Sequence, residues 1–532
     1  MKPKIILLVS LIACLFIADM PLSAQKKSKD NGGAKQLENV KRRDLRNFGT
    51  VIENDVTVGY YMFSKIENTG GGMASFKIEI FDENLKSKKT IKIEKRKTAQ
   101  LVEMNYNGKA FFIMMTNKKG IDMMTFDKEG KKLGELNIKK VSKWERMRIQ
   151  QAVMSEEASS TSIYSASDEG FIRQAFVKNK KLGFVIERYD NKLKLQWSYG
   201  SDKASKRIEA ADILYSSENY VAVLKEDKKK LISRDIDVHF VLLNASKGTK
   251  LFELQLKELA DLSLLGCDVD ETKQQIILNG EYYAKGKKIY NSKSEGIYLK
   301  MLDLKGKELK MQKLSWKKDL VSLNVTDEEK GKSKENMRFY IHKVVIAANG
   351  NTYVVAEQYK KILSATAVGM KLASAALGGG GNSNLSSFSI KMYNMVYMVF
   401  DNSFNLVEKQ VVKKKFSEIW LDKSQEYTSA TVLAHYLKAN GYFDYQFTSL
   451  NKEKGGFTTY YLDLNRKGTD GKKNDAVIGT ISLSEDKIET KRTPINTQYS
   501  YMFICPAKEN NVLIGEHWRS KKKMFLRIEP IE

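Results

Sequence analysis

The stretch FKIEIFDENLKSKKTIKIEK, residues 76–95, decides the fold. Phe76 to Ile80 and Thr90 to Lys95 alternate apolar and charged residues with period two, the spacing of a half-buried strand rather than a helix. Between them stands Asp82-Glu83-Asn84-Leu85-Lys86. Asp at the first position of a turn accepts hydrogen bonds from the backbone that follows it, and glycine two or three residues on tolerates positive φ. The stretch is therefore a β-hairpin. The phrase recurs as Phe126-Asp127-Lys128-Glu129-Gly130-Lys131, Tyr189-Asp190-Asn191-Lys192-Leu193, Leu243-Asn244, Leu302-Asp303-Leu304-Lys305-Gly306-Lys307, Phe400-Asp401-Asn402 and Leu462-Asp463-Leu464-Asn465, with a last truncated copy at Leu526-Arg527-Ile528-Glu529.

Another strand precedes most copies: AFFIMMT at 110–116, YVAVLKE at 220–226, QIILNGE at 275–281 and TYVVAEQ at 352–358. A fourth lies further upstream, as in SLLGCDV at 263–269, YIHKVVIA at 340–347 and YMFICPA at 501–507. Three or four antiparallel strands every roughly 45 to 65 residues is the period of a propeller blade. The expected fold is all-β: a β-propeller of seven or eight blades, eight by the count of phrases, occupying residues 45–532 with helical insertions on one face. The last copy lacks a fourth strand, so an N-terminal segment within 37–58 is expected to supply it and close the ring. A pair of β-sandwiches or barrels is the competing architecture. The pattern resembles that of exported, propeller-like proteins of uncharacterised bacterial families. The resemblance spans nearly the whole chain, rests on the repeat alone and implies only the fold.

The chain opens MKPKIILLVSLIACLFIADMPLSAQ. Lys2 and Lys4, an apolar run from Ile5 to Ala18, and the small residues of Leu22-Ser23-Ala24 read as a signal peptide over 1–24. The run is shorter than the roughly 20 residues a membrane-spanning helix needs. Leu11-Ile12-Ala13-Cys14 offers a rival reading, a lipidation site at Cys14. Residues 25–44 read as a basic, flexible segment, and no later stretch is apolar enough to span a bilayer. Only Cys267 and Cys505 follow the leader, too few for a disulfide scaffold. They fall in the first strands of non-adjacent repeats and are expected as two free, buried thiols. The formal net charge is +26, which favours polyanionic partners. Nucleic acid is disfavoured, because lysine far outnumbers arginine and no recognition module is present.

Catalytic signatures are scarce. His239, His342, His435 and His517 each fall in or beside an expected strand, none at metal-ligand spacing. Gly378 to Gly381 lacks the Gly-Lys-Ser/Thr ending of a phosphate loop. Asp463-Leu464-Asn465-Arg466-Lys467-Gly468 begins like a calcium loop but places Lys467 where an oxygen ligand belongs. No cofactor or metal is expected. The 25 Tyr and 23 Phe suit packing between sheets, and exposed ones could also stack on sugar rings.

Connections after second and fourth strands open on one face of a propeller. The long segments 140–157, 315–337 and 413–433 all fall there, as does KKILSATAVGMKLASAALGGGGNSNLSS at 360–387. Ile362 to Leu377 reads as a helix ending at Gly378. It is apolar nearly all round, with Ile362, Leu363, Met370, Leu372 and Leu377 as candidate partner-binding residues. The function expected is an exported binding or scaffold protein of the cell envelope, in the periplasm, at the outer membrane or outside the cell. Its partner would be an envelope protein or an anionic polymer, a glycan or a lipid surface. The alternative is a polysaccharide hydrolase or lyase using a carboxylate pair near the channel. Mass spectrometry of the exported protein should find Gln25 at its N-terminus; a diacylated Cys14 would refute that.

Overall fold

The computed structural model describes residues 33–531 except 119, 155–161, 231–235, 257–261, 288–291, 324–325, 328–331, 334–336, 364–384, 423–429, 452–454, 465–473, 485–486, 500 and 509. Eight antiparallel sheets follow one another along the chain and form an eight-bladed propeller. Blade 1 comprises Phe48–Glu53, Val56–Gly70, Met73–Asp82 and Ser87–Arg96. Blades 2 to 7 begin at Leu101, Ile163, Ile208, Gly266, Arg338 and Tyr445, each with four strands in meander order. Blade 8 takes three strands from the C-terminus, Tyr501–Pro506, Asn511–Trp518 and Lys523–Pro530.

The fourth strand of blade 8 is Ala34–Leu37, pairing with Arg527 through Met524. Closure thus comes from the N-terminus as expected, but from an earlier segment than 37–58. Within the segment 25–44, expected to be flexible, Ala34–Leu37 is spent on the ladder and a 3-10 turn, Arg42–Asn47, begins. Val40 N–H donates to Lys522 O at 2.8 Å, and His517 Nε2 lies 2.9 Å from Val40 O.

Both faces of each blade are covered. In Ala110–Thr116, Phe111, Ile113 and Met115 pack toward blade 1 while Ala110, Phe112 and Met114 pack toward blade 3. That is why the run is apolar throughout instead of alternating. Eight buried apolar clusters fall one to each joint between neighbouring blades.

Six of the seven complete hairpin phrases are the turns between third and fourth strands, and they share one geometry. Asp82, Asp127, Asp190, Asn244, Asp303 and Asp401 each take a backbone N–H of the loop with a side-chain oxygen. Three residues on, or four after Asn244, stands a left-handed residue: Leu85, Gly130, Leu193, Gly248, Gly306 or Phe404, with φ between 59° and 88°. Where it is Leu or Phe, its side chain is buried in the joint with the preceding blade. Where it is glycine, that blade sends a large side chain instead. A Cβ on Gly248 would lie 2.5 Å from the Trp197 ring, and one on Gly306 2.7 Å from the Phe252 ring. Conversely, opposite Leu193 the outer strand of blade 2 carries Gly134, whose Cβ would meet Lys192 backbone at 2.5 Å.

The seventh phrase is different. Leu462-Asp463-Leu464 ends the second strand of blade 7, and that blade's outer hairpin joins Asn474–Ser484 to Lys487–Thr497. Asp463 is buried and accepts from Lys415 N–H at 3.1 Å and from Arg492 Nη2 at 2.5 Å. Residues 465–473, the rest of the calcium-like stretch, lie outside the described residues.

The turn geometry predicts an asymmetry among glycines of equal φ. Gly306→Val forces a β-branched residue to φ +83° and drives it into Phe252; the two effects together should cost about 2–5 kcal/mol. Gly72 has φ +80° with open space around it, so Gly72→Val should cost only the conformational part, about 1–2 kcal/mol. Urea unfolding of both variants checks this; equal losses would refute the joint account.

Candidate functional site

Successive antiparallel strands send connections after second and fourth strands to one face. There the structure gathers both described α-helices: α1, Lys143–Met154, between blades 2 and 3, and α2, Ala430–Ala439, between blades 6 and 7. The short hairpin Thr326–Asp327 and Lys332–Ser333 sits on the same face. The opposite face carries mainly the tight turns described above.

The described start of the insertion departs from expectation. Lys360 to Leu363 extend the second strand of blade 6, and Ile362 and Leu363 pair with Ser389 and Phe388 in strand geometry, not helix. The reason is tertiary: Ser417–Asp422 adds to the other edge of Leu385–Phe400, so a three-stranded tongue rises from the blade. Ile362 is half-buried and Leu363 is 60% exposed. Met370, Leu372 and Leu377 lie outside the described residues. Helix α2 packs Leu433, Ala434 and Leu437 against Tyr359, Ile390, Met392 and Ile419 at the base of the tongue.

Beneath α2 lies a cluster that sequence reading missed. Glu357 is fully buried and accepts from the N–H groups of Asp444 and Tyr445 at 3.1 and 3.2 Å. Lys414 Nζ reaches Glu357 Oε1 at 3.3 Å and Asp444 Oδ2 at 2.6 Å. Ser417 Oγ donates to Asp444 at 2.9 Å. His342 Nε2 is 3.4 Å from Glu357 Oε2, and the imidazole stacks on Tyr445 with centroids 4.4 Å apart. Burial works against a charged Lys414, but Asp444 and Glu357 outweigh it and hold its pKa above the ordinary range. Burial, then the charges of Lys438 and Lys414, push His342 well below its usual value. The two carboxylates are thus committed to a buried lysine and to backbone donors, and the cluster fastens the start of blade 7 to blade 6. Lys343 pairs with Asp268 beside it. Asp268-Val269-Asp270 belongs to the first strand of blade 5, with only Asp270 capping the turn, by accepting Lys273 N–H at 2.9 Å.

Of the other histidines, His239 meets Asp227 and Glu253 at 3.2 and 3.1 Å in blade 4. His435 falls in helix α2 instead of a strand. Cys267 and Cys505 are unbridged in the first strands of blades 5 and 8, the second only half-buried. Desolvation raises both thiols, Cys505 to about 12. No group of three or more His, Cys, Asp or Glu able to hold a metal occurs among the described residues. None of the described helices is long and apolar enough to cross a membrane.

Helix α1 is fastened by its own first turn. Ser142 caps it, accepting Glu145 N–H at 3.0 Å and donating to Phe176 O at 2.7 Å. Glu145, 1% exposed, takes the fork of Arg148 Nε and Nη2 at 3.0 and 2.7 Å, Arg173 Nη2 at 3.3 Å and Phe176 N–H at 3.0 Å. These contacts outweigh desolvation and hold the Glu145 carboxyl below its ordinary value. A cleft remains between the helix and blades 3 and 4.

Residues 1–532 match a family of unknown function, DUF6770. The chain belongs to that family. No curated protein matches it. Among solved structures, it is similar to the WD40 domain of Toxoplasma gondii coronin, with 7% identity, TM-score 0.32, and 81% of this chain and 80% of that one covered. It is also similar to prolyl oligopeptidase B from Galerina marginata, with 10% identity, TM-score 0.35, and 90% and 57% covered.

A pH dependence follows from His342. Its pKa is lower in the folded chain than in the unfolded one, so the unfolded state binds the extra proton first as pH falls below about 6.5. The stability this group contributes is complete above that value and is lost below it, by up to about 1.4 kcal/mol per pH unit. Thermal midpoints at pH 7 and pH 5 should therefore differ less for His342→Phe than for the parent chain; an unchanged difference would refute the neutral, buried imidazole.

Proposed function

We propose that this protein is an exported binding or scaffold protein of the cell envelope whose ligand docks on the face carrying the long connections. The observation that carries the reading is the concentration of α1, α2, the short hairpin and the tongue of blade 6 on that face. Variation in loop length on a rigid scaffold is where propellers and other scaffolds place recognition. The ligand proposed is an envelope protein or an anionic polymer, a glycan or a lipid surface. Two lysine clusters on this face support an anionic partner: Lys228-Lys229-Lys230 and Lys521-Lys522-Lys523 both lie between second and third strands, and Lys229, Lys230, Lys521 and Lys522 are exposed. A third pair, Lys131-Lys132, is exposed on the opposite face. The leader and the chain's net charge of +26 fit an envelope location.

The test compares three forms of the chain on anionic vesicles and acidic polysaccharide. They are the parent, a form with glutamine at residues 228–230 and 521–523, and a form carrying Lys131→Gln and Lys132→Gln instead. Attraction between exposed charges is screened beyond about 8 Å at physiological salt. The parent should be retained at low salt and released at high salt. The first variant should lose most retention and the second little. Equal losses in both variants, or retention that ignores salt, would sink the face assignment. Replacing 364–384 by a Gly-Ser turn is a further arm. Loop closure depends weakly on length, so the β content should persist while capture of a protein ligand by the tongue is lost.

A further inference from the structure

Helix α1 roofs a pocket of about 350 Å³ between blades 3 and 4, opening on the long-connection face. Its walls are largely apolar: Trp144 and Met147 come from the helix, Phe176 and Leu182 from blade 3. They are accessible, with Met147 50% exposed and Trp144, Phe176 and Leu182 half-buried. Most polar groups of the lining are spent within the protein. Ser162 is buried and its hydroxyl donates to Glu103 Oε2 at 2.7 Å. Gln174 is buried too; its amide donates to Ala211 O and to Asp212 Oδ1, and its carbonyl accepts Ile213 N–H at 3.1 Å. Arg148 is forked onto Glu145, and its remaining Nη1 is buried where no ligand reaches it. What a ligand can meet is the exposed carboxylate of Asp212 and the exposed amide of Gln151.

The accessible charge is negative. Beneath the pocket, Glu145 and Glu187 hold Arg148 and Arg173, carboxylate against guanidinium, and cancel them. Asp212 stands outside that balance, because its bond is to the neutral amide of Gln174. The chain carries +26, yet no lysine is found among the residues lining the pocket; Lys143, Lys180 and Lys181, close by in sequence, are exposed to water. An anion entering would face Asp212 with no free cation to offset it. A sugar would bring several hydroxyls to a site with two accessible polar groups, and each hydroxyl that leaves water without finding a partner opposes binding. A calcium-like ion asks for six or more oxygens, and no group of three His, Cys, Asp or Glu able to hold a metal occurs among the described residues. An organic ammonium ion has the opposite needs. One carboxylate offsets its charge, its alkyl groups gain from apolar walls, and indole is the aromatic face that attracts a cation best. The volume lies at the small end of ligand clefts.

We propose that the pocket under α1 binds a small organic cation, an alkylammonium ion, with its charge held by Asp212 and the Trp144 ring and its alkyl part against Met147 and Leu182. This goes beyond the reading of the long-connection face as a surface for an envelope protein or polyanion and does not rest on it. The lysine clusters act on anions at a distance, whereas this pocket acts on the opposite charge at contact.

The experiment titrates the whole mature chain with tetramethylammonium, choline, butylammonium, putrescine and Nα-acetyl-lysine amide at one ionic strength, read by calorimetry and ligand-observed NMR. At least one should bind saturably, and choline and butylammonium should bind more tightly than their uncharged analogues, 3,3-dimethylbutanol and butanol. Asp212→Asn keeps an acceptor for Gln174 but removes the charge, and should weaken binding about tenfold or more. Asp212→Glu should restore part of that loss, which a merely structural role would not show. Trp144→Ala should weaken binding about tenfold and Trp144→Phe less. Met147→Lys, at an exposed position, should abolish binding with the thermal midpoint unchanged, so the test survives a Trp144 variant that fails to fold. Tighter binding of Nα-acetyl-lysine amide than of the free amines would trace the cation to a protein side chain, and the reverse to a free amine; either upholds the site. The proposal is overturned if no amine of the panel saturates, or if the uncharged analogues bind as tightly as their amines. It is also overturned if Asp212→Asn and Met147→Lys leave affinity intact, or if acetate or glucose binds more tightly than every amine.

Discussion

A four-stranded sheet apolar on both faces cannot be left without a neighbour on either side, and in this chain the last neighbour is supplied by four residues. Ala34–Leu37 pairs with Met524 to Arg527. That short ladder brings blade 8 against blade 1, where Tyr60, Met62, Phe81 and Leu85 meet Leu513, Met524 and Leu526. Without it the facing surfaces of blades 1 and 8 would be open to water together. A ring of repeats is stabilised by nearest-neighbour interfaces, so each joint counts and the joint between the chain ends decides whether the ring has any free edge at all.

The outer turns show how each joint is fitted. Each of the six shared turns places one residue in the left-handed region, where side chains other than glycine are strained. The strain at Leu85, Leu193 and Phe404 is offset by burying a large side chain against the preceding blade, while Gly130, Gly248 and Gly306 stand where that blade already fills the space with Ile91, Trp197 and Phe252. Gly33 and Gly134 complete the relation: each would place a Cβ against the backbone of a turn that carries leucine, at Asn84 and Lys192. Close packing permits only one occupant at each position.

The repeat was legible because its signal is local. An Asp or Asn that accepts backbone N–H groups, flanked by alternating strands, needs nothing distant to be recognised, and six of the seven complete copies fall on the same turn. Where context decides, local reading failed. Leu462-Asp463-Leu464 has the right residue types, but Asp463 is recruited by Lys415 from the connection after Leu406–Val412 and by Arg492 from the outer strand of blade 7. Ile362 and Leu363 are apolar enough for helix or strand, and the added strand Ser417–Asp422 settles the matter. The closing strand AKQL is short and carries almost no alternation. The buried cluster was hidden for the same reason: His342, Glu357, Lys414 and Asp444 are far apart in sequence and meet only through blade topology. One sign was available. In TYVVAEQ, 352–358, apolar residues lie on both faces of the strand, so a charged residue within it had to be buried and paired.

The long-connection face holds two electrostatic regimes that ought to act on different ligands. Exposed lysines at 228–230 and 521–523 keep their hydration and act through a field that salt shortens. Under α1 the charges are close, balanced and partly desolvated, so bulk salt reaches them weakly and only groups of matched geometry gain from entering. Such a division matches the structure, in which the lysine clusters sit at loop tips while Glu145, Arg148 and Gln174 are locked into the blades.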